Sequence, residues 1–167
     1  MGVLNFSLFI TMLEILTYPN PILKQQSKLV SDPTSLEIKQ LISEMTQSMR
    51  AHEHGMAIAA PQIGKSLRIF VIEIDHEVMT FINPEIQKLS GKDVRAEEGC
   101  LSFPGKYFPI TRPNKVKIKF IDATGQKQIM KTSGLLARAI QHENDHLDGI
   151  LFTERITEDE LELEPTV

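Results

Sequence analysis

The chain has 167 residues, of which 41% are hydrophobic and 24% are charged, and it contains one cysteine and no tryptophan. This length suits one domain with a substantial core, and the composition is that of an ordinary globular protein. Disordered, collagen-like and fibrous proteins are therefore excluded. A single cysteine also excludes a framework of intrachain disulfides.

The net charge of −4 is unevenly distributed along the chain. There are 18 lysines and arginines against 22 acidic residues, and five of the acids lie at positions 158, 159, 160, 162 and 164. Without those five, 18 basic residues oppose 17 acidic ones, a net charge of +1. We therefore expect a nearly neutral body with an acidic tail at 157–167. This balance argues against an acidic, disordered or strongly basic nucleic-acid-binding body, and no DNA partner is expected.

The apolar stretch at residues 3–16 lacks the features of a targeting or membrane segment. No lysine or arginine precedes Lys24, and Glu14 interrupts the apolar run. Neither a signal peptide nor a membrane-spanning helix is predicted from this pattern. We expect residues 1–11 to form an apolar N-terminal extension, as a strand or arm, and Met12 is an alternative start.

Hydrophobic periodicity predicts a first helix that begins after residues 32–35 and ends at Gly55. Four apolar residues recur at helical spacing and form one face of it: Ile38, Ile42, Met45 and Met49. A loop rich in glycine and alanine is predicted at residues 55–64.

Five runs with strand character follow this loop. They are residues 67–74, 78–82, 86–89, 115–121 and 127–131. Polar and apolar residues alternate strictly over 115–120, as in a half-solvated antiparallel strand, and residues 122–125 predict a hairpin turn.

A last helix is predicted over residues 133–148, with Ser133 as its N-cap and Gly149 as its stop. Short strands between two helices indicate an α+β fold and not alternating βαβ units. We expect one domain over residues 1–167, with short antiparallel strands packed around this last helix.

The last helix carries the motif HENDH at residues 142–146. Its two histidines lie about 40° apart around the helix and one turn along it, so both imidazoles can reach one cation. Glu143 lies beside them, close enough to reach a metal-bound water. Leu135 and Ala139 continue the histidine face, which predicts that this face is apolar and buried. A solvated helix that carries the motif by chance is the alternative.

A catalytic site of this type needs at least a third protein ligand. The metzincin pattern is excluded because Phe152 stands where its third histidine belongs. An acid from the tail is one candidate, and Cys100 is the other. A glycine precedes Cys100 and lets the backbone approach closely, and a nearby cation would hold the sulfur as thiolate. A small buried hydrophobic residue is the alternative role for this cysteine.

Three motifs together resemble those of the peptide deformylase family, in that family's order and spacing. They are GMAIAAPQIG at 55–64, EGCLS at 98–102 and HENDHL at 142–147. The segment at 18–23 also resembles the family's N-terminal part, so the similarity extends over residues 12–152.

The resemblance implies one divalent metal ion held by Cys100, His142 and His146, with water in the fourth position. Iron(II) is the implied native metal, although such a ligand set also suits zinc, and nickel or cobalt can replace it on isolation. The implied reaction removes the formyl group from the initiator formyl-methionine of new polypeptides. A reducing bacterial cytoplasm fits this chemistry, and an organelle is the alternative.

The resemblance also assigns roles to residues around the metal. Glu143 is implied as general base and acid, and the Gln62 amide and the Leu101 backbone N–H as oxyanion donors. Four residues are implied to bind substrate: Gly55, Met56, Ala57 and Ile58. Three are expected to support the metal ligands: Glu98, Arg112 and Asp145. We expect Arg112 to pair with Glu98. An ordinary loop glutamine, a surface arginine and a solvated aspartate are the alternatives for Gln62, Arg112 and Asp145.

Two positions depart from the family pattern. Ala57 stands where the motif usually has a second glycine, and Tyr107 stands where the family often has arginine. A methyl group at Ala57 would crowd the peptide or move the loop. A related metallo-amidohydrolase acting on another N-acyl substrate therefore stays open, as do a non-catalytic formyl-peptide-binding homologue and a zinc endopeptidase.

The acidic tail bears on where the protein meets its substrate. Many bacterial deformylases continue into a basic C-terminal helix that is associated with the ribosome, whereas residues 157–167 are acidic here. Polyanionic RNA should repel such a tail. We predict transient proximity to ribosomes without docking through the tail.

Overall fold

The computed structural model describes residues 13–156 of the chain. The N-terminal extension at 1–11, the alternative start at Met12 and the acidic tail at 157–167 lie outside the described residues. None of the described helices is long and apolar enough to span a membrane.

Helix α1 spans Leu36–Arg50 and begins as predicted, with the Ser35 side chain accepting a hydrogen bond from the Ile38 N–H at 3.3 Å. The predicted end at Gly55 was wrong. The helix stops at Arg50, and two tight turns bring the backbone of Gly55 against its end. A Cβ at Gly55 would lie 1.9 Å from the Met49 carbonyl oxygen, so this glycine permits a close approach and does not cap the helix. On the buried face, Leu41 is buried while the predicted Ile42 is only half-buried.

Five strands form one antiparallel sheet in the order β1-β2-β3-β4-β5, which confirms the α+β class. The strands are β1 (Ala57–Ala59), β2 (Ile69–Ile74), β3 (Glu77–Gly99), β4 (Tyr107–Ile121) and β5 (Lys127–Ser133). The predicted loop at 55–64 therefore contains a strand, followed by a 3-10 helix at Ala60–Ile63.

Strand β3 is much longer than the two separate runs predicted at 78–82 and 86–89. Register shifts interrupt its pairing with β4 between Ile82 and Glu85, between Ile86 and Lys88, and between Ser90 and Asp93. Such irregularities break the alternation of buried and exposed residues on which strand prediction depends. The same pairing extends β4 back to Tyr107, well before its predicted start.

Two helices cover opposite faces of the sheet. Ile69 and Val71 on β2 pack in the cluster that includes α1, whereas Phe70 and Ile72 pack in the cluster that includes α2. Successive strand residues point to opposite faces, so β2 is buried on both sides. The α2 side contains an aromatic stack in which the Phe81 ring lies 4.6 Å from that of Phe70.

Helix α2 spans Gly134–Leu147, close to the predicted range. Ser133 occupies the N-cap position, but its side chain makes no capping hydrogen bond, contrary to the prediction. Ser133 is still extended as the last residue of β5, paired with Lys115. The Asn114 side chain instead accepts a hydrogen bond from the Gly134 N–H at 3.2 Å.

Gly149 ends α2 as predicted, with φ at +72°. A Cβ there would lie 2.6 Å from the carbonyl oxygen of Lys24, which belongs to the 3-10 helix Pro21–Lys24. This close approach holds the N-terminal part of the described chain against the end of α2. Leu23, on the same 3-10 helix, belongs to a third apolar cluster, which also includes Phe103 and Phe152.

We expect Gly149→Ala to lower the free energy of unfolding by roughly 2–5 kcal/mol, because positive-φ strain and a backbone clash add together. Gly105→Ala is the matched control, since Gly105 has the same φ of +72° and no atom lies within 4 Å of the position that a Cβ would occupy there. The control substitution should lower the free energy of unfolding by about 1–2 kcal/mol. Urea unfolding measures both, and equal midpoints would contradict the role of the close approach.

Candidate active site

Three candidate metal ligands meet between the end of β3 and one face of α2. Cys100 directly follows β3, and His142 and His146 lie one turn apart on the helix. Their donor atoms all lie within 4.8 Å of one another, and Cys100 Sγ is 3.2 Å from His146 Nε2. Both histidines are buried. A thiolate with two imidazoles leaves a fourth position open in tetrahedral geometry, so the donor set fits a catalytic divalent metal.

The electrostatics of the two histidines also suit a cation. Burial works to lower the pKa of His142, but hydrogen bonds to Cys100 and Glu98 outweigh it and raise the pKa to about 10. The surroundings of His142 therefore favour a positive charge. Burial, together with the charges of His142 and Arg112, lowers the pKa of His146 well below its usual value. A neutral imidazole is the form that ligates a metal.

Glu98 is the buried anion behind His142. Its Oε2 lies 3.0 Å from His142 Nδ1, and its two oxygens accept hydrogen bonds from Arg112 at 2.7 and 3.1 Å. Arg138 donates a further hydrogen bond at 2.5 Å. Burial works to raise the pKa of Glu98, but its hydrogen bonds to His142 and Arg112 outweigh this and lower the pKa to about 2. A charged Glu98 therefore holds His142 by Nδ1 and leaves Nε2 for a metal.

Asp145 continues this network on α2. It accepts a hydrogen bond from Arg112 at 2.8 Å and two from Arg155, at 2.6 and 3.1 Å. The structure thus places Arg112 between two carboxylates, Glu98 and Asp145. Among the described residues, Asp145 makes no hydrogen bond to either histidine ring. It is linked to His142 through Arg112 and Glu98.

Two arginines of the network are absent from the sequence predictions. Arg138 lies one turn before His142 on α2. Because side chains four residues apart are neighbours on a helix, this spacing could have identified Arg138 as a member of the network. Arg155 lies in the 3-10 helix Phe152–Arg155, and nothing in its local sequence marks it. The prediction that the apolar face leading to the histidines is buried was wrong at Leu135. Ala139 is buried, but Leu135 is 57% exposed and lines the cavity described below.

Glu143 is buried beside the histidines, and its Oε2 has no hydrogen-bond partner among the described residues. Burial raises its pKa to about 7, even though the neighbouring His142 works in the opposite direction. A carboxyl group that titrates near neutral pH can both accept and donate a proton at that pH.

Gln62 is held in one orientation on the 3-10 helix Ala60–Ile63. Its Oε1 accepts a hydrogen bond from the Ala59 N–H at 2.8 Å, which identifies Nε2 as the end of the side chain that faces Cys100 and Ser102. Nε2 lies 3.1 Å from Ser102 Oγ and 3.6 Å from Cys100 Sγ. The side-chain amide therefore presents its donors beside the metal ligands.

A cavity of about 730 Å³ opens over these groups. Gln62, Cys100, Leu101, His142 and Glu143 all line it. His146 lies deeper, behind the lining residues.

The predicted substrate loop contributes only partly to the cavity. Met56 and Ala57 line it, whereas Gly55 and Ile58 do not. Ile58 follows Ala57 on β1 and so points to the other face of the sheet, where it is fully buried in the α1 cluster. Tyr107 also lines the cavity, and its ring covers the backbone of Gly99, where a Cβ would lie 2.6 Å from the ring.

Comparison with known proteins places this arrangement in a family. The sequence model of polypeptide deformylases matches residues 12–162. The chain belongs to the polypeptide deformylase family. The resemblance that the three motifs indicated is thereby confirmed.

Individual deformylases support the same assignment. A peptide deformylase of Treponema pallidum is 40% identical over 141 residues, which cover 78% of this chain and 87% of that protein. The crystal structure of peptide deformylase from Thermotoga maritima has a TM-score of 0.84 at 35% identity and covers 88% of this chain and 99% of its own. A peptide deformylase of Synechococcus elongatus in complex with actinonin has a TM-score of 0.85 at 38% identity, covering 90% and 82%.

We expect Glu98→Gln to weaken metal binding by about 10–100-fold, because the variant removes the anion that orients His142. Metal content is measured after dialysis against a series of chelator concentrations. Glu97→Gln is the matched control, since Glu97 is the adjacent exposed carboxylate. The same chelator midpoint for Glu98→Gln and the wild type would contradict this role.

Proposed function

We propose that this protein hydrolyses the N-formyl group of the initiator formyl-methionine of nascent polypeptides and releases formate. One observation carries the proposal: the Glu143 carboxyl group, whose Oε2 has no hydrogen-bond partner within residues 13–156, and the Gln62 amide line the same cavity as Cys100 and His142. Membership of the deformylase family supports it. We assign this activity to a single catalytic domain in a bacterial cytoplasm.

We further propose that Cys100, His142 and His146 hold one divalent ion. When bound, such an ion would lower the pKa of a water molecule and polarise the formyl oxygen. The thiolate and imidazole donors suit iron(II) and zinc alike, as well as nickel and cobalt. We propose iron(II) as the native metal on the basis of the family resemblance.

Glu143 moves the proton in this mechanism. Its free Oε2 accepts a proton from the attacking water as the water oxygen bonds to the formyl carbon. The carboxyl group then gives that proton to the amide nitrogen as the carbon–nitrogen bond breaks. The products are formate and a peptide with a free α-amino group. Burial of Glu143 favours this two-way transfer, because it brings the pKa of the carboxyl close to neutral pH.

Gln62 and Leu101 stabilise the negative charge that develops on the formyl oxygen. The Gln62 Nε2 group is already oriented by the hydrogen bond that its other end makes with Ala59. The Leu101 backbone N–H follows Cys100 directly and is the second donor. Donors that are oriented before the reaction need no reorganisation as charge develops.

The substrate peptide is proposed to lie along β1. This strand forms an edge of the sheet, so one side of its backbone is not paired within the described sheet. Met56 and Ala57 line the cavity at this edge and would contact the methionine side chain and its backbone.

The two departures from the family pattern favour a second candidate function. Ala57 and Tyr107 both line the cavity, at positions where the family usually has glycine and often has arginine. A metallo-deacylase acting on another N-acyl substrate would use the same groups. A non-catalytic binding homologue would have no use for a buried, unpartnered Glu143.

We expect Glu143→Gln to lower the rate of formate release from a formyl-Met peptide by about 10²–10⁴-fold, because it removes the proton acceptor. The protein is prepared anaerobically with iron(II), and its metal content should stay unchanged. Glu37→Gln on the exposed start of α1 is the control. Wild-type protein that binds metal and releases no formate would refute the proposed function, and unchanged turnover in the variant would refute the role of Glu143.

We expect Ala57→Gly to raise kcat/KM for the formyl-Met peptide by about tenfold, since one methyl group in a close contact has an effect of that size. The corresponding acetyl-Met peptide is assayed in parallel. A deacylase for larger acyl groups would turn over the acetyl peptide faster than the formyl peptide. Equal formyl-peptide rates for Ala57→Gly and the wild type would show that the methyl group does not crowd the substrate.

A further inference from the structure

One face of the sheet carries a two-dimensional array of lysines. Strand β4 contributes Lys115, Lys117 and Lys119, which alternate with buried residues. The strand register places Lys88 of β3 and Lys131 of β5 directly opposite Lys117, on either side of it. We call the array the lysine face, and its members are Lys88, Lys115, Lys117, Lys119, Lys127 and Lys131.

The lysine face looks away from the candidate active site. The residues between the lysines on β4, among them Val116 and Ile118, are buried in the α2 cluster, so the lysines point to the opposite side of the sheet. Helix α1 covers that side over β1, β2 and the start of β3, and Ile121 packs at the border of its cluster. Beyond this border the face is open, and five of its six lysines are exposed while Lys117 is half-buried.

The positive charge on this face is largely unbalanced. Glu85 lies opposite Lys119 in the register, and the two charged groups are 3.9 Å apart. The other five lysines have no carboxylate within 4.0 Å among residues 13–156. The positions between and beside these lysines are neutral, including Ser90, Ile129 and Ser133, and the next acid along this face of β3 is Asp93, opposite Pro113.

Protection of a sheet edge explains only part of the array. Lysines on an edge strand hinder pairing with another chain, which accounts for Lys127 and Lys131 on β5. Strand β4 is paired on both sides, so edge protection does not apply to its three lysines. Like charges directly opposite one another destabilise a sheet, and the row Lys88, Lys117 and Lys131 has two such pairs. An anionic ligand would relieve this repulsion.

We propose that the lysine face binds the phosphate backbone of RNA. Strand geometry places the Cα atoms of these lysines about 5 Å apart across the strands and about 7 Å apart along them. This regular spacing of positive side chains suits a chain of phosphates. Lysine recognises phosphate as a point charge. The register positions of this face contain no aromatic residue for base stacking, so the binding is independent of base sequence.

Two further observations favour RNA over a lipid surface. Membrane-binding faces combine basic residues with a broad apolar surface, whereas the exposed large apolar side chain here is a single Ile129. None of the six lysines lines the cavity, and the histidines lie on α2 at the other side of the sheet, so RNA on the lysine face does not contact them. This binding goes beyond the proposed hydrolysis and does not depend on it.

The test measures binding of the full-length, metal-loaded protein to a fluorescein-labelled 20-nucleotide oligouridine by anisotropy. We expect a dissociation constant on the order of 10⁻⁶ M at low salt, with affinity that falls steeply as salt increases. The triple variant Lys88→Gln, Lys117→Gln and Lys131→Gln should bind at least tenfold more weakly. Its slope of log affinity against log salt should be smaller by about 2, since each phosphate contact contributes about 0.7.

Two further triple variants test whether a loss of RNA binding comes from the lysine face itself, from the lower net charge or from misfolding. Lys28→Gln, Lys39→Gln and Lys65→Gln change the net charge equally away from the sheet face and should bind like the wild type. Arginine at positions 88, 117 and 131 retains the charge and should retain binding. Equal weakening in both glutamine variants, or loss of binding in the arginine variant, would overturn the proposal.

The partner class is tested directly. No anisotropy change at about 100 µM wild-type protein and low salt would overturn RNA binding, because that concentration reaches the weak end of the range of non-specific dissociation constants, about 10⁻⁴ M, where half of the RNA would be bound. Binding to phosphatidylglycerol vesicles without binding to oligouridine would assign the face to a membrane and also overturn it. Formate release from a short formyl peptide is recorded separately and should be the same in the glutamine variant and the wild type. The RNA result can be interpreted even if no formate is released.

Discussion

The arrangement of the candidate active site depends on the buried carboxylate of Glu98. This group joins the end of β3 to Arg112 on β4 and to His142 and Arg138 on α2. A buried anion costs desolvation free energy, which only several charged or polar partners can offset. Glu98 has three such partners, and hydrophobic packing could not hold an imidazole by one chosen nitrogen.

The same pairing of buried charges continues to the end of the described chain. Arg112 links Glu98 to Asp145, and Asp145 in turn binds Arg155 in the last 3-10 helix. Charges of opposite sign alternate along this chain of contacts, so each buried charge has a neighbour of the other sign. The strands, the helix and the last turn are therefore coupled through the group that orients His142.

The two faces of the sheet have different roles because the strands alternate. On the α2 side, apolar residues of β2 and β4 form the base on which the histidine helix packs. On the other side, α1 covers only part of the sheet and leaves Lys115 and Lys119 of β4 exposed and Lys117 half-buried. The net charge of the chain does not reveal this separation, since it sums the 22 acidic residues of the whole sequence with the 18 basic ones wherever they lie. Register, and not composition, brings the six lysines together.

The sequence by itself determined the two helices, the α+β class and the metal-ligand candidates on α2. Helical spacing places His142 and His146 on one face whatever surrounds them, and the order of three motifs points to Cys100 and Gln62. It did not determine the continuity of β3, because bulges interrupt the alternation that marks a strand. Only the tertiary structure decided that Arg138 and Arg155 join the carboxylate network, that Ile58 turns away from the cavity, and that Lys88 lies beside Lys117 and Lys131. These are contacts between residues distant in sequence or choices of sheet face, and local patterns carry no information about either.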